Sequence, residues 1–104
     1  MKISDIAAKL EAEVIVSGNP DAETDSVYAG DFLSRVMGRA PAGSVWLTVM
    51  GNVNVAGVAV MADIGAVVLC EGVKPDALLI QKCAAEGIAL LATAKTVYEC
   101  CKLL

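Results

Sequence analysis

The side chains best suited to chemistry in this sequence are four cysteines, Cys70, Cys83, Cys100 and Cys101. Zinc and iron–sulfur sites usually use Cys-x-x-Cys pairs or add histidines, and this chain has neither that pair nor any histidine. Cys100 and Cys101 are adjacent, so on a helix they would point about 100° apart and could not easily chelate one ion. We therefore expect no metal and no cofactor, and four small, mostly buried thiols that stay reduced; the alternative is a redox or disulfide role.

Catalytic motifs are also missing from the sequence. Without histidine the usual general acid–base group near neutral pH is absent, and there is no Gly-x-Ser-x-Gly elbow and no GxxxxGK phosphate loop. The one enzyme hypothesis that the residues allow is a site assembled from Asp31, Glu71 and Lys74 across a dimer. We expect no catalytic residue, and rank this hypothesis below a non-catalytic role.

Composition excludes further classes of protein. The formal net charge is −4 with eight scattered basic residues, which argues against nucleic-acid binding. Asp5 follows the amino terminus too closely for a signal peptide, so none is expected. Asp63 and Glu71 interrupt the longest apolar run, so no membrane span is expected. We expect one cytoplasmic domain over residues 1–104, because two cores in a chain of this length would each be marginal.

Three short apolar runs, Val45–Val49, Ala66–Leu69 and Ile88–Leu91, are separated by glycine-edged segments of helical length. This alternation predicts an α/β fold: a small parallel sheet of βαβ units with helices packed on it. Aliphatic residues dominate and aromatics make up only 4% of the chain, as suits parallel strands that are buried on both faces. In the first half of the chain the sequence predicts a helix over Ser4–Ala12 capped by Ser4, a strand over Val14–Val16, an extended segment over Val27–Gly30 and a helix over Asp31–Met37 capped by Asp31. In the second half it predicts a helix that starts at Pro75-Asp76 and ends at Gly87. A last helix is predicted to have a Thr96–Glu99 capping box and an inner face of Val97, Cys101 and Leu104.

The segment from Val53 to Val60 is ambiguous from its residues alone. Val45–Val49, the Gly51-Asn52 pair and the following valines are typical of a β-hairpin. A buried helix would instead place Val53, Gly57, Val60 and Met61 along one face, although β-branched residues disfavour helices. Periodicity does not decide between the two structures.

Four segments in the second half of the chain form a pattern of strand ends and helix starts: Met50-Gly51-Asn52-Val53-Asn54, Val67-Val68-Leu69-Cys70-Glu71-Gly72, Lys74-Pro75-Asp76 and Leu90-Leu91-Ala92-Thr93 with Thr96-Val97-Tyr98. In this pattern the second half of the chain resembles the DRTGG domain. The residues that name the family are mostly replaced, and only Gly51, Gly72 and Thr93 remain of them. The resemblance implies three adjacent parallel strands and a helix over Asn52–Ala62. It also implies a regulatory module of the kind that accompanies phosphotransacetylases and HPr kinase/phosphorylases, without chemistry of its own.

A ligand site is expected at the carboxyl ends of the strands, where open α/β sheets usually bind ligands. Val53 stands where the family has an arginine and Glu71 adds negative charge, and both residues disfavour an inherited anion site. A small molecule or nucleotide, or a protein partner, remains the expected ligand; the alternative is that these residues only form turns and helix caps. The expected site residues are Gly51, Asn52, Asn54, Glu71, Gly72, Lys74, Thr93, Lys95 and Thr96.

Hydrophobic residues make up 57% of the chain, more than a monomer of 104 residues readily buries. We therefore expect a two-fold homodimer. The Asn52–Ala62 helix is apolar nearly all round, and the expected contact residues on it are Val55, Val58, Ala59 and Ala62. The leading functional hypothesis is a ligand-sensing or partner-docking module. The alternative is a structural protein whose function is assembly as a homodimer.

Overall fold

The computed structural model describes all 104 residues and consists of five helices and five strands. In chain order they are α1 (Ile3–Lys9), β1 (Glu13–Val16), β2 (Val27–Ala29), α2 (Leu33–Arg39), β3 (Val45–Thr48), α3 (Asn54–Met61), β4 (Ala66–Leu69), α4 (Ala77–Glu86), β5 (Ala89–Ala92) and α5 (Val97–Leu103).

The strands form one mixed sheet in the order β1-β5-β4-β3-β2. β2, β3, β4 and β5 are parallel neighbours, with Val45 opposite Ala66 and Ala66 opposite Ala89. The predicted α/β class and the three adjacent parallel strands are therefore confirmed. β1 adds an antiparallel edge beside β5, with Glu13 opposite Ala92, and the sequence pattern did not predict this pairing.

Alternate side chains of the strands enter two cores on opposite faces of the sheet. Trp46, Val67 and Leu90 point into the core under α2, α3 and α4. Leu47, Val68 and Leu91, which follow them directly, point into the core under α1 and α5. Every residue of β3 and β4 is buried, as expected for parallel strands covered by helices on both sides.

The ambiguous segment after β3 is a helix, as the family resemblance implied. Val55, Ala56 and Ala59 of α3 are fully buried against the sheet and the neighbouring helices. Burial of this apolar surface outweighs the small helix propensity penalty of the valines, which is at most about 0.7 kcal/mol per residue.

The same burial corrects the predicted dimer contact. Val55, Val58 and Ala59 are buried inside the folded chain and Ala62 is half-buried against the same core, so the first three cannot face a second copy. α3 instead exposes Val53 at its start and Gly57, Val60 and Met61 along its length. The prediction placed this helix correctly on the sheet but assigned the wrong residues to its outer surface.

Two of the predicted helix caps are wrong. α1 begins after Lys2, and Ser4 lies inside the helix without a capping bond. α2 begins after Phe32, while Asp31 Oδ1 accepts hydrogen bonds from Thr48 Oγ1 at 2.7 Å and from the Val49 amide at 3.0 Å. Asp31 therefore joins the ends of β2 and β3 instead of starting a helix.

The carboxyl-terminal helices follow their sequence signals more closely. Asp76 precedes α4, Gly87 ends it with a φ of +70°, and the Thr96–Glu99 capping box is present at the start of α5. At α5, Val97 and Leu104 pack against the core as predicted, but the buried cysteine is Cys100 and the predicted Cys101 is exposed. No helix is both long enough and apolar enough to cross a membrane.

Candidate functional site

The turn that follows β4 has an unusual backbone. Glu71 and Gly72 both have left-handed φ angles, +61° and +73°. The Glu71 amide donates to the Lys95 carbonyl at 2.8 Å, and the Gly72 amide donates to the Thr93 carbonyl at 3.0 Å. A non-glycine residue seldom adopts this conformation, and here two hydrogen bonds to the segment after β5 hold it.

The turn after β3 packs directly against this segment. The Gly51 carbonyl accepts a hydrogen bond from the Asp76 amide at 2.8 Å. A Cβ atom at Gly51 would lie 2.7 Å from the Lys74 carbonyl oxygen, closer than real side chains approach. Glycine is therefore needed here for close approach of two backbones.

A cleft of about 400 Å³ opens beside this turn, at the carboxyl ends of β4 and β5. Its volume falls in the range typical of small-molecule sites, about 300–1,000 Å³. Of the nine expected site residues, Gly72, Lys74 and Thr93 line it. The other lining residues are Glu13, Ile15, Val73, Pro75, Ile80, Ala92 and Ala94.

Lys74 and Glu13 are the charged groups of the cleft. Neither forms a salt bridge, whereas Lys95 pairs with Glu11 at 3.6 Å and Lys82 pairs with Glu86 at 3.4 Å. The cleft thus offers one unpaired ammonium group and one unpaired carboxylate beside apolar walls. A ligand with one charged group of either sign, or one of each, matches this pattern better than a polyphosphate does.

Thr93 has a structural role as well as a place in the cleft. Its buried hydroxyl donates to the Leu10 carbonyl at 2.8 Å and accepts from the Lys95 amide at 3.2 Å. These bonds tie the end of β5 to the end of α1, so little hydrogen-bonding capacity of the hydroxyl remains for a ligand.

The remaining expected site residues lie outside this cleft. Thr96 is occupied by its capping box, and its hydrogen bonds hold the pKa of the Glu99 carboxyl below its usual value. Asn52 Oδ1 accepts from the Asn54 amide at 3.0 Å and so helps to begin α3. Asn54 lines a separate groove between α2 and α3. The exposed Glu71 contributes its backbone to the turn.

The sequence pattern missed Glu13 and Ile15, which line the cleft from β1. Their strand was recognisable, but its place at the β5 edge depends on long-range pairing that no local signal encodes. The three residues of the enzyme hypothesis do not share a cavity. Lys74 lines the cleft, whereas neither Asp31 nor Glu71 lines any of the four cavities. No group of three His, Cys, Asp or Glu side chains is placed to hold a metal ion.

Neither a protein-family model nor a curated protein matches this sequence. Among solved structures, the fold is similar to the crystal structure of the CBS and DRTGG domains of the regulatory region of Clostridium perfringens pyrophosphatase complexed with its activator, diadenosine tetraphosphate. The TM-score is 0.78 at 12% sequence identity. The match covers 98% of this chain and 45% of that chain, so this chain corresponds to less than half of its structural neighbour. At this identity the likeness shows the fold and nothing further.

Proposed function

We propose that this chain, over residues 1–104, is a non-catalytic regulatory module of the DRTGG type that senses a small ligand. The observation that carries the proposal is the cleft beside the Glu71-Gly72 turn, where the exposed residues Lys74 and Glu13 form no salt bridge and lie beside apolar residues. Open α/β sheets usually place their ligands at this end of the strands. The similarity of the fold to a regulatory region that includes a DRTGG domain supports the same role.

The walls of the cleft suggest which ligands to test. Ile15, Val73 and Ile80 offer an apolar surface, and the single lysine offers one positively charged hydrogen-bond donor group. This combination favours a nucleoside monophosphate or another compact ligand with one charged group. A dinucleoside polyphosphate such as the activator of the neighbour carries more negative charge than one lysine can balance.

A thermal-shift screen tests the proposal with nucleosides, nucleoside mono-, di- and triphosphates, diadenosine tetraphosphate and amino acids as probes. A compound that binds the folded state raises the melting temperature with its concentration. We expect a compact probe to give such a shift, and Lys74→Ala to reduce it. Lys9→Ala is the matched control, because Lys9 is an exposed lysine on α1, outside the cleft.

Two results would contradict ligand sensing at this cleft. One is a screen in which no probe shifts the melting temperature. The other is a shift that Lys74→Ala and Lys9→Ala change equally, because the binding would then lie elsewhere.

A second function, assembly as a homodimer, is favoured by the apolar surface of α2 and α3. Met61 is 73% exposed and borders a groove of about 490 Å³ that is also lined by Leu33, Met37 and Val53. α3 contains no charged residue, so nothing in the helix itself opposes contact with a second copy. In this arrangement the isologous contact would use the exposed side of α3.

Light scattering at micromolar concentration tests the dimer. We expect a dimeric mass for the native chain and a monomeric mass for Met61→Lys. Tyr98→Lys is the matched control, because Tyr98 is 71% exposed on α5 at the opposite face of the sheet. A monomeric native chain would contradict this second function. A Met61→Lys variant that stays dimeric would contradict the proposed contact surface.

A further inference from the structure

Two buried cysteines touch each other in the core under α1 and α5. Cys70 follows β4 directly and Cys100 lies within α5, and neither residue has any exposed surface. Their Sγ atoms are 3.9 Å apart, although 30 positions separate them in the sequence. Cys83 belongs to the core on the other side of the sheet, and Cys101 is exposed.

A disulfide needs only a small movement of this pair. The S–S bond is about 2.05 Å long, so each sulfur has to move roughly 1 Å toward the other. Side-chain rotation can supply such a displacement, since Sγ is the outermost heavy atom of a cysteine.

We propose that Cys70 and Cys100 form a redox pair, in which a peroxide oxidises the two thiols to a disulfide that joins the end of β4 to α5. In the first step the thiolate sulfur of Cys100 attacks one peroxide oxygen. The S–O bond forms, the O–O bond breaks and, after protonation of the leaving hydroxide, water departs. In the second step the Cys70 sulfur displaces the hydroxyl group from Cys100 sulfenic acid, and with the proton from Cys70 a second water leaves. Two thiols and one hydrogen peroxide thus give one disulfide and two waters.

The closed fold protects the pair from this reaction. Burial raises the pKa of the Cys70 thiol to about 12 and also raises the pKa of the Cys100 thiol. Thiols react as thiolates, so both stay inert while α5 is packed on the sheet. α5 is a seven-residue helix, and its local opening admits solvent and peroxide. Oxidation of Cys100 therefore requires a transient opening of α5, and the disulfide forms when the helix packs back and returns Cys100 to Cys70.

The bond would also restrict the turn beside the cleft. Cys70 immediately precedes Glu71 and Gly72, whose amides are bonded to the segment that leads from β5 into α5. A disulfide from Cys70 to Cys100 would add a covalent link to the two hydrogen bonds that already join this turn to the segment before α5. The turn that bears Gly72 would then be less mobile in the oxidised protein than in the reduced protein.

Peroxide treatment of a Cys83→Ala, Cys101→Ser double variant tests the proposal, because only the pair remains. We expect a product with the mass of a single chain less two hydrogen atoms in mass spectrometry, and with no thiol left to alkylate. Its melting temperature should rise by at least about 5 °C, since a cross-link over 30 positions restricts the unfolded chain. The matched control adds Cys100→Ala and should form no bond within the chain.

The native chain gives an independent readout if the variants fold poorly. Trypsin leaves Cys70 on the fragment 40–82, because Pro75 follows Lys74, and leaves Cys100 on the fragment 96–102. We expect peroxide to link these two fragments, and Cys101→Ser to leave the link intact. Separate oxygen adducts on each cysteine, a link that requires Cys101, or a lower melting temperature after oxidation would overturn the proposal.

Discussion

Gly51→Ala should be one of the most destabilising methyl additions in this protein. The new Cβ atom would lie 2.7 Å from the Lys74 carbonyl oxygen and 3.2 Å from Val73 Cγ1. The first of these atoms belongs to the backbone. Relief of the clash therefore requires the turn after β3 and the turn after β4 to separate by several tenths of an ångström. That movement strains the 2.8 Å hydrogen bond between the Gly51 carbonyl and the Asp76 amide.

Overpacking of this close contact should lower the free energy of unfolding by about 2–3 kcal/mol. In a domain of this size that corresponds to a fall in melting temperature of roughly 10–20 °C. Denaturant unfolding gives the free energy, and its slope checks that the folded state keeps its compactness.

Gly38→Ala is the matched control, because it adds the same methyl group in α2 where no atom lies within 4 Å. Alanine restricts the unfolded chain and favours the helix, so this variant should gain about 0.5–1 kcal/mol. A Gly51→Ala protein within about 0.5 kcal/mol of the native chain would refute the close packing of the two turns.

Four further predictions concern Thr93, the capping box of α5 and the cysteines. Thr93→Val removes a buried hydrogen bond to the Leu10 carbonyl and should cost about 1–3 kcal/mol in denaturant unfolding, whereas Thr93→Ser should retain most of the stability. Thr96→Ala breaks the capping box of α5 and should cost about 1 kcal/mol. The pKa of Glu99 is lower in the folded state, so its contribution to stability is complete above the pKa in the unfolded chain and is lost as pH falls through the folded pKa. Glu99→Gln should therefore flatten the acid side of a plot of melting temperature against pH. An unchanged plot would contradict this expectation. The reduced protein should keep its melting temperature in the presence of chelator or additional reductant, and a loss of several degrees would show a metal or disulfide dependence that four free cysteines do not explain.

Local sequence signals were sufficient for the three parallel strands β3, β4 and β5. The apolar runs at β3, β4 and β5 are bounded by residues that end strands or start helices, such as the Pro75-Asp76 pair and Gly87. Such signals act within a few residues, so they are readable without the rest of the chain. The helical state of α3 needed the family resemblance, because its valines suit a strand equally well.

The position of each residue in the site depended on tertiary structure. β1 pairs with β5 across more than 70 positions, and this pairing alone brings Glu13 and Ile15 to the cleft. On a helix, one position changes the direction of a side chain by about 100°, so an apolar pattern did not show that Cys100 is buried and Cys101 exposed. The same limit led to the wrong outer face for α3.

The sequence by itself determined which segments could bury apolar surface and where the chain had to turn. The tertiary structure decided which of the polar residues near the strand ends were already engaged. Thr93, Lys95 and Thr96 are occupied by bonds to Leu10, Glu11 and Glu99, whereas Lys74 remains unpaired. Hydrogen-bond and ion-pair partners come from distant parts of the chain as well as from near neighbours, so only the folded arrangement separates a structural polar residue from one that is free to bind.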